Sequence, residues 1–327
     1  MSVTNTTIKA EAFNRSIEAA LKDPPNLKES IERIKHSLHN LPAGKLYTSD
    51  RKKEVIFYTK EEGHHKYLSK KSELIHPLAR KSYLTILLKI LELTGATKAR
   101  DIQKRQALIS KLQELISTYE RGNLEIAKIV LTSRQYKWLI GSFDQKRIDR
   151  TKSHKTASGV YVRSNSEKDI INKCEEWAVP VHYEERQYIK VATLVNKLKE
   201  ELAEMGLVSG QLYSYRNGGT TWNVPAELGS MNARGSIWRS YYPPTGTLKI
   251  FNDFKIMFAD GTLFIWEHEG MMELFTYRFN ASERTAIMKY TGVVDQNHLL
   301  ETYESDVDTP EKIIDIIEKY ILPRLWF

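Results

Sequence analysis

The 327-residue chain has a single cysteine, Cys174, so no disulfide can form within it, and a reducing cytoplasm is the expected compartment. It lacks any run of about 18 apolar residues, so no membrane-spanning helix and no membrane partner are expected. Its opening residues, MSVTNTTIKAEAF, supply neither the basic nor the apolar stretch of a secretory signal, and none is expected. There is no internal repeat. His64-His65 have no cysteine or carboxylate at ligand spacing and read as a loop rather than a metal site. Gly218-Gly219 have no strand-to-helix context and read as a flexible turn rather than a phosphate loop.

Charge is plentiful and unevenly placed. Hydrophobic residues at 41% and charged residues at 28% fit a globular protein. Residues 1–150 carry 29 Lys and Arg against 17 Asp and Glu, a net +12; residues 151–327 carry 20 against 24, a net −4. A basic front half joined to an acidic back half suits a grip on a polyanion beside a carboxylate cluster.

Periodicity divides the chain at the same place. Residues 11–40 read as amphipathic helices broken at Asp23-Pro24-Pro25, followed by strand character over 45–58. Residues 68–95, 99–120 and 123–140 read as helices, with Gly95 a stop. The polar, basic stretch 141–160 reads as a linker or a mobile strand-entry loop and marks the boundary, so 1–150 is expected to be a mostly helical domain with a hairpin-like insert, and 151–327 a second domain. Here a helix is expected at 164–177, a strand at 179–188, a helix at 191–205, strands at 249–258 and 262–268, a helix at 281–290, a strand at 297–303 and a helix at 310–321. The segment 206–247 shows no clear period, and an insertion is placed at about 190–247. Its tyrosines, tryptophans and arginines suit either base stacking or the anchoring of a long loop. Cys174, on a helix face with Ile170, Ile171 and Trp177, reads as core.

The most informative stretch joins two apolar strands at Ala259-Asp260-Gly261 and places Asp253 near the outer end of one and Glu267 near the outer end of the other. Carboxylates beside buried strands are costly unless paired or bound to a cation. Loop length decides whether these two meet. A two-residue Asp-Gly turn pairs Phe258 with Leu263 and puts Asp253 opposite His268, with Glu267 on the other face. A three-residue loop with left-handed Gly261 pairs Phe258 with Thr262 and sets Asp253 opposite Glu267. A third acid, Glu167, opens a helix three residues after Ser164, where it also completes a capping box. His268, beside Glu267, could meet a phosphate or a site carboxylate, or make a buried hydrogen bond.

The segments RSNSE (163–167), VPVHYEE (179–185), NDFKI (252–256), WEHEGMM (266–272) and LLETYES (299–305) occur in this order. In that order they resemble the PD-(D/E)XK nuclease superfamily, and more closely a group of uncharacterised bacterial proteins within it. LPAGKLY (41–47) and YLSKKSELIHPLARKSY (67–83) extend the resemblance, which spans about residues 40–320. It implies an α+β protein whose C-terminal half is an αβββαβ restriction-endonuclease-like core with a mixed sheet. It also implies a metal-dependent nuclease acting on nucleic acid, DNA ahead of RNA. Asp253 and Glu267 would be metal ligands, with Glu167 holding the metal through water or positioning the attacking water, and Glu184 a weaker candidate. Mg2+ suits oxygen ligands of this kind, with Mn2+ as a substitute.

The sequence departs from the family pattern at two points. Asn252 replaces the proline before Asp253, which carries no chemistry. Glu269 stands where the family's lysine normally follows the second acid, and a carboxylate there cannot stabilise a developing negative charge. That lysine can migrate to the next helix, where Arg284 and Lys289 are the available cations; arginine can stabilise charge but not act as a base. Two other functions therefore stand beside the nuclease: a catalytically degenerate nucleic-acid-binding protein of the same fold, and a non-enzymatic partner-binding subunit of a defence or mobile-element system.

Overall fold

A proline break, a left-handed glycine and one helix cap separate the helices of the front half. The computed structural model describes residues 7–51, 54–61, 64–190, 212–217, 220–225, 247–270, 288 and 298–327. Helices α1 (Ala10–Ala20) and α2 (Leu27–His39) flank the Asp23-Pro24-Pro25 break, because a proline ring removes a helical N–H and clashes with the preceding turn. A three-stranded antiparallel sheet follows: β1 (Tyr47–Arg51), β2 (Glu54–Glu61) and β3 (His64–Leu68). His64-His65 thus lie in an edge strand and not in a loop. Helices α3 (Ile75–Glu92) and α4 (Ala99–Arg121) are separated at Gly95, which takes φ +79°. The single helix expected over 123–140 is two, α5 (Ile126–Val130) and α6 (Ser133–Ile140). Thr132 is extended between them and forms a capping box with Gln135, which starts α6 afresh.

The polar stretch after α6 is only partly a linker. Gln145 bridges to Glu185, and β4 (His154–Lys155) pairs with β5 (Tyr161–Val162) ahead of α7 (Asn165–Glu176). Next come β6 (His182–Lys190), β7 (Leu212–Asn217) and β8 (Thr220–Pro225), the last two forming a hairpin inside the stretch that shows no clear period. Strands β9 (Thr247–Met257), β10 (Leu263–Glu269) and β11 (Leu299–Tyr303) complete a four-stranded mixed sheet of order β11-β10-β9-β6. The β6/β9 and β9/β10 pairs are antiparallel and β10/β11 is parallel. The chain continues through α8 (Glu304–Val307), α9 (Pro310–Ile316), a π-turn at Ile317–Ile321 and α10 (Leu322–Leu325). The helix expected over 191–205 lies outside the described residues, as does that over 281–290 apart from the helical Met288. Among the described residues, no helix is long and apolar enough to cross a membrane.

The fold is therefore α+β with a mixed sheet, and its halves share a core. Phe13 of α1 meets Tyr83 edge-on at 5.9 Å and Trp326 at 4.9 Å. The Trp326 indole donates to Ser16 Oγ at 2.8 Å. The Gln135 amide donates to the carbonyls of Met257 and Leu325, both at 3.0 Å, and so ties α6 to the sheet and to α10. Phe254 and Trp266 of the sheet are fully buried, each contributing roughly 1.5–3 kcal/mol or more by area removed from water.

Candidate active site

The loop between β9 and β10 decides the geometry of the site. Phe258 N–H donates to Thr262 C=O at 2.9 Å, and Gly261 adopts φ +86°. This is the three-residue loop with a left-handed glycine. The turn is locked by Asp260 Oδ1, which accepts from the Thr262 amide at 2.8 Å and hydroxyl at 2.6 Å. The β9/β10 ladder then runs Leu263↔Met257, Phe264↔Ile256, Ile265↔Lys255 and Trp266↔Phe254, and it stops there. The next pair in this register is Asp253 with Glu267.

Where pairing stops, side chains take over the backbone donors. Asp253 N–H donates to Glu267 Oε1 at 3.3 Å, and His268 N–H donates to Asp253 Oδ2 at 2.9 Å. The two carboxylates are thus interlocked across the diverging strands, with Asp253 8% exposed and Glu267 fully buried. Each is anchored by an amide of the opposite strand, and a hydrogen bond to a carboxylate favours its charged form.

Glu167 joins them from the first turn of α7. Ser164 caps that helix, its hydroxyl accepting from the Glu167 amide at 3.1 Å, while Glu167 Oε2 accepts from the amides of Ser164 at 2.7 Å and Arg163 at 2.9 Å. The capping role and the site role fall on one side chain. Burial, and next the charge of Asp253, raise the Glu167 carboxyl above its ordinary range against the pull of the Ser164 hydrogen bonds. Glu184 completes the acidic cluster from β6. It takes φ +49°, a left-handed conformation unusual for a non-glycine residue inside a strand. Its carbonyl accepts from Lys146 N–H at 3.2 Å, and its carboxylate pairs with Arg163 at 2.8 Å. Burial dominates, and the charges of Asp253 and Glu167 add to it. Arg163 and Lys146 offset only part, and the Glu184 carboxyl is pushed up to about 7.

Other candidates fall differently. Glu269 is buried, one strand period beyond Glu267 and in register with Tyr303. The His268 ring faces away from the acids, with Nδ1 at 3.4 Å from Thr302 Oγ1 and Nε2 at 3.5 Å from Glu304, so it serves the cluster through its main-chain amide. Arg284 and Lys289 lie outside the described residues. Cys174 is core, and burial raises its thiol. Lys255, two residues after Asp253 and fully buried, donates to Glu185 at 2.8 Å and Gln187 at 2.9 Å. Burial works against ionisation of Glu185, yet hydrogen bonds from His182 and Lys255 hold its carboxyl below the ordinary range. The part played by Arg163 and Lys146 is not visible in the sequence. The one hint is that Arg163 directly precedes the Ser164 cap.

A cavity of about 390 Å3 is lined by Phe143, Asp144, Lys146, Arg147, Arg150 and Tyr161 among others. Arg150 lies 5.0 Å over the Tyr161 ring. Lys146 links this largely basic, aromatic hollow to Glu184, and its cations are able to receive a phosphate-bearing chain. Among the described residues, no group of three or more His, Cys, Asp or Glu side chains is gathered closely enough to hold a metal ion. No protein-family model, curated protein or solved structure matches the chain.

Proposed function

We propose that this chain is a metal-dependent nuclease with a restriction-endonuclease-like core, hydrolysing phosphodiester bonds in nucleic acid, DNA ahead of RNA. The observation that carries the reading is the register of Asp253 opposite Glu267 at the end of the β9/β10 ladder, with buried Glu167 near enough to Asp253 to feel its charge. The order α7, β6, β9, β10, β11, with three antiparallel strands and a parallel fourth, supports the fold assignment.

The donor set suits a hard divalent cation. The acids present carboxylate oxygens, and burial first, with mutual repulsion adding to it, raises Glu167 and Glu184, a penalty that a cation would relieve. Mg2+ commonly takes one or two protein carboxylates and keeps several waters, so Asp253 and Glu267 suffice without a third protein ligand. When bound, such an ion supplies Lewis-acid polarisation and neutralises charge on the phosphoryl group. Around it, Glu167 orients water from the α7 terminus. Glu184, with a carboxyl at about 7, is matched to accept and return a proton near neutral pH. Arg163, paired with Glu184, and Lys146, in the cavity wall, offer positive charge in place of the family lysine that Glu269 replaces. Incubation of plasmid, single-stranded DNA and RNA with the protein and Mg2+ or Mn2+ tests the proposal. Cleavage that Asp253→Ala and Glu267→Ala abolish is expected, and absence of cleavage on all substrates overturns it.

The buried Glu269 favours one other reading, a binding protein that keeps the fold and has lost catalysis. Salt-dependent nucleic-acid binding without cleavage would mark that case.

A further inference from the structure

The small sheet of the front half carries aromatic side chains on the wrong side for a core. Along β2, Val55, Phe57 and Thr59 are buried, Phe57 lying 6.3 Å from Tyr119 of α4, while Glu54, Ile56, Tyr58 and Lys60 alternate onto the open face. The cross-strand register Tyr47↔Tyr58↔Tyr67 then lines up three tyrosines there. Tyr58 stacks on Tyr47 at 5.5 Å with 15° between planes, and on His65 at 4.4 Å with 20°. Tyr67 is tilted 59° to Tyr58 and is 57% exposed. Lys45 and Lys60 place their ammonium groups 5.0 Å and 5.2 Å from the Tyr47 ring, and among the described residues neither makes an ion pair.

We infer that the open face of β1-β2-β3 is a stacking platform for unpaired bases of single-stranded nucleic acid, with Lys45 and Lys60 on its phosphates. Cross-strand aromatic pairs strengthen a sheet by roughly 0.2–1 kcal/mol, a modest return for a row of three tyrosines on the side away from the core. An aromatic row held on a rigid sheet, with two ammonium groups over the Tyr47 ring that make no ion pair among the described residues, provides the two contacts a single strand needs: aromatic surface for bases and cations for phosphates. A duplex hides its π-faces inside the stack and gains only the lysines. Charge agrees, since residues 45–71 hold eight Lys and Arg against four Asp and Glu. Only the class of ligand rests on the nucleic-acid reading proposed above; the site itself is separate from the carboxylates.

Fluorescence anisotropy with the full chain in EDTA tests this apart from cleavage, using labelled oligo(dT) of about fifteen nucleotides and a duplex of equal length. Oligo(dT) is expected to bind more tightly than the duplex. Tyr58→Ala and the more exposed Tyr67→Ala should each raise Kd about tenfold, and Tyr58→Phe, which keeps the ring, should bind as wild type. Lys45→Ala with Lys60→Ala should reduce the salt slope by about 1.4. Circular dichroism of each variant separates loss of the platform from loss of the sheet, and Tyr67→Ala serves should Tyr58→Ala unfold. Wild-type affinity in folded Tyr58→Ala and Tyr67→Ala overturns the platform while leaving the nuclease reading intact. Failure of the wild type to bind oligo(dT) in EDTA overturns the platform, while the nuclease reading stands or falls on the cleavage assay with Mg2+ or Mn2+. Competition by poly-glutamate as strong as by oligo(dT) also overturns the platform, because the face would then read charge alone and fit an acidic protein equally well.

Discussion

Replacing Glu184 by glutamine should make the protein more stable at alkaline pH, and the size follows from its surroundings. In the folded chain the carboxyl is pushed from its ordinary 4.5 up to about 7, chiefly by burial. The folded state therefore holds this proton more tightly than the unfolded state. Stability from this group is complete below about pH 4.5 and falls as pH rises through about 7. At about 1.4 kcal/mol per tenfold in proton affinity, the loss by pH 8 is about 3 kcal/mol. Glu184→Gln is neutral throughout and escapes that loss. At pH 5 the two proteins should unfold at similar urea concentrations, and by pH 8 the variant should lead by up to about 3 kcal/mol, read from tryptophan fluorescence in EDTA. Millimolar Mg2+ should narrow the gap, because a cation among the acids lowers the wild-type carboxyl. A stability difference that is constant from pH 5 to pH 8 would refute the assignment of Glu184 as a buried, proton-holding acid.

Three further outcomes are expected. Ser164→Ala removes the α7 cap and should cost about 1 kcal/mol in thermal or urea unfolding, and it should slow cleavage by loosening Glu167. Gly261→Ala forces a side chain into φ +86° with its Cβ 2.5 Å from Arg134 Nη1. It should lose about 1–2 kcal/mol in urea unfolding and, by disturbing the Asp253–Glu267 register, more than tenfold in cleavage rate. Glu269→Lys should raise cleavage above the wild-type rate on gels; an unchanged rate would mean that Arg163 and Lys146 already supply the needed charge.

The parts of this fold written in local sequence were readable from it. The Asp23-Pro24-Pro25 break, the Ser164/Glu167 capping box and the burial of Cys174 each depend on neighbours within a turn or on one helix face. The β9/β10 loop was readable only as two alternatives. What selects between them includes Arg324, far along the chain, whose guanidinium sits 4.4 Å over Phe258 and donates to Thr262 Oγ1 at 3.2 Å and to Asp260 at 3.5 Å. The strand at His64–Leu68 was missed for a related reason: four of its five residues are exposed, so no period-two pattern marks it. Thr132 was passed over because its neighbours keep a helical composition, although its own side chain ends one helix and starts the next. Glu184 stands out only weakly in the sequence, since neither its left-handed backbone nor its pairing with Arg163 leaves a trace in residue spacing.

The seating of Trp326 against Phe13 and Ser16 has a consequence for the order of folding. The hydrogen bond between them closes a separation of 310 residues. On a disordered chain, the length-dependent part of that closure costs about 5 kcal/mol by the (3/2)RT ln n relation. The interior of α1, with Phe13 and Ile17 fully buried, is thus completed from the far end of the chain. Helices α3 and α4, which meet across a short connection, can pair early and receive one side of α1 through Asn14 and Gln113, whereas Trp326 reaches Phe13 and Ser16 only when the mixed sheet and α10 are in place. Topology of this kind slows folding, and it makes the α1–Trp326 junction the expected late event in refolding.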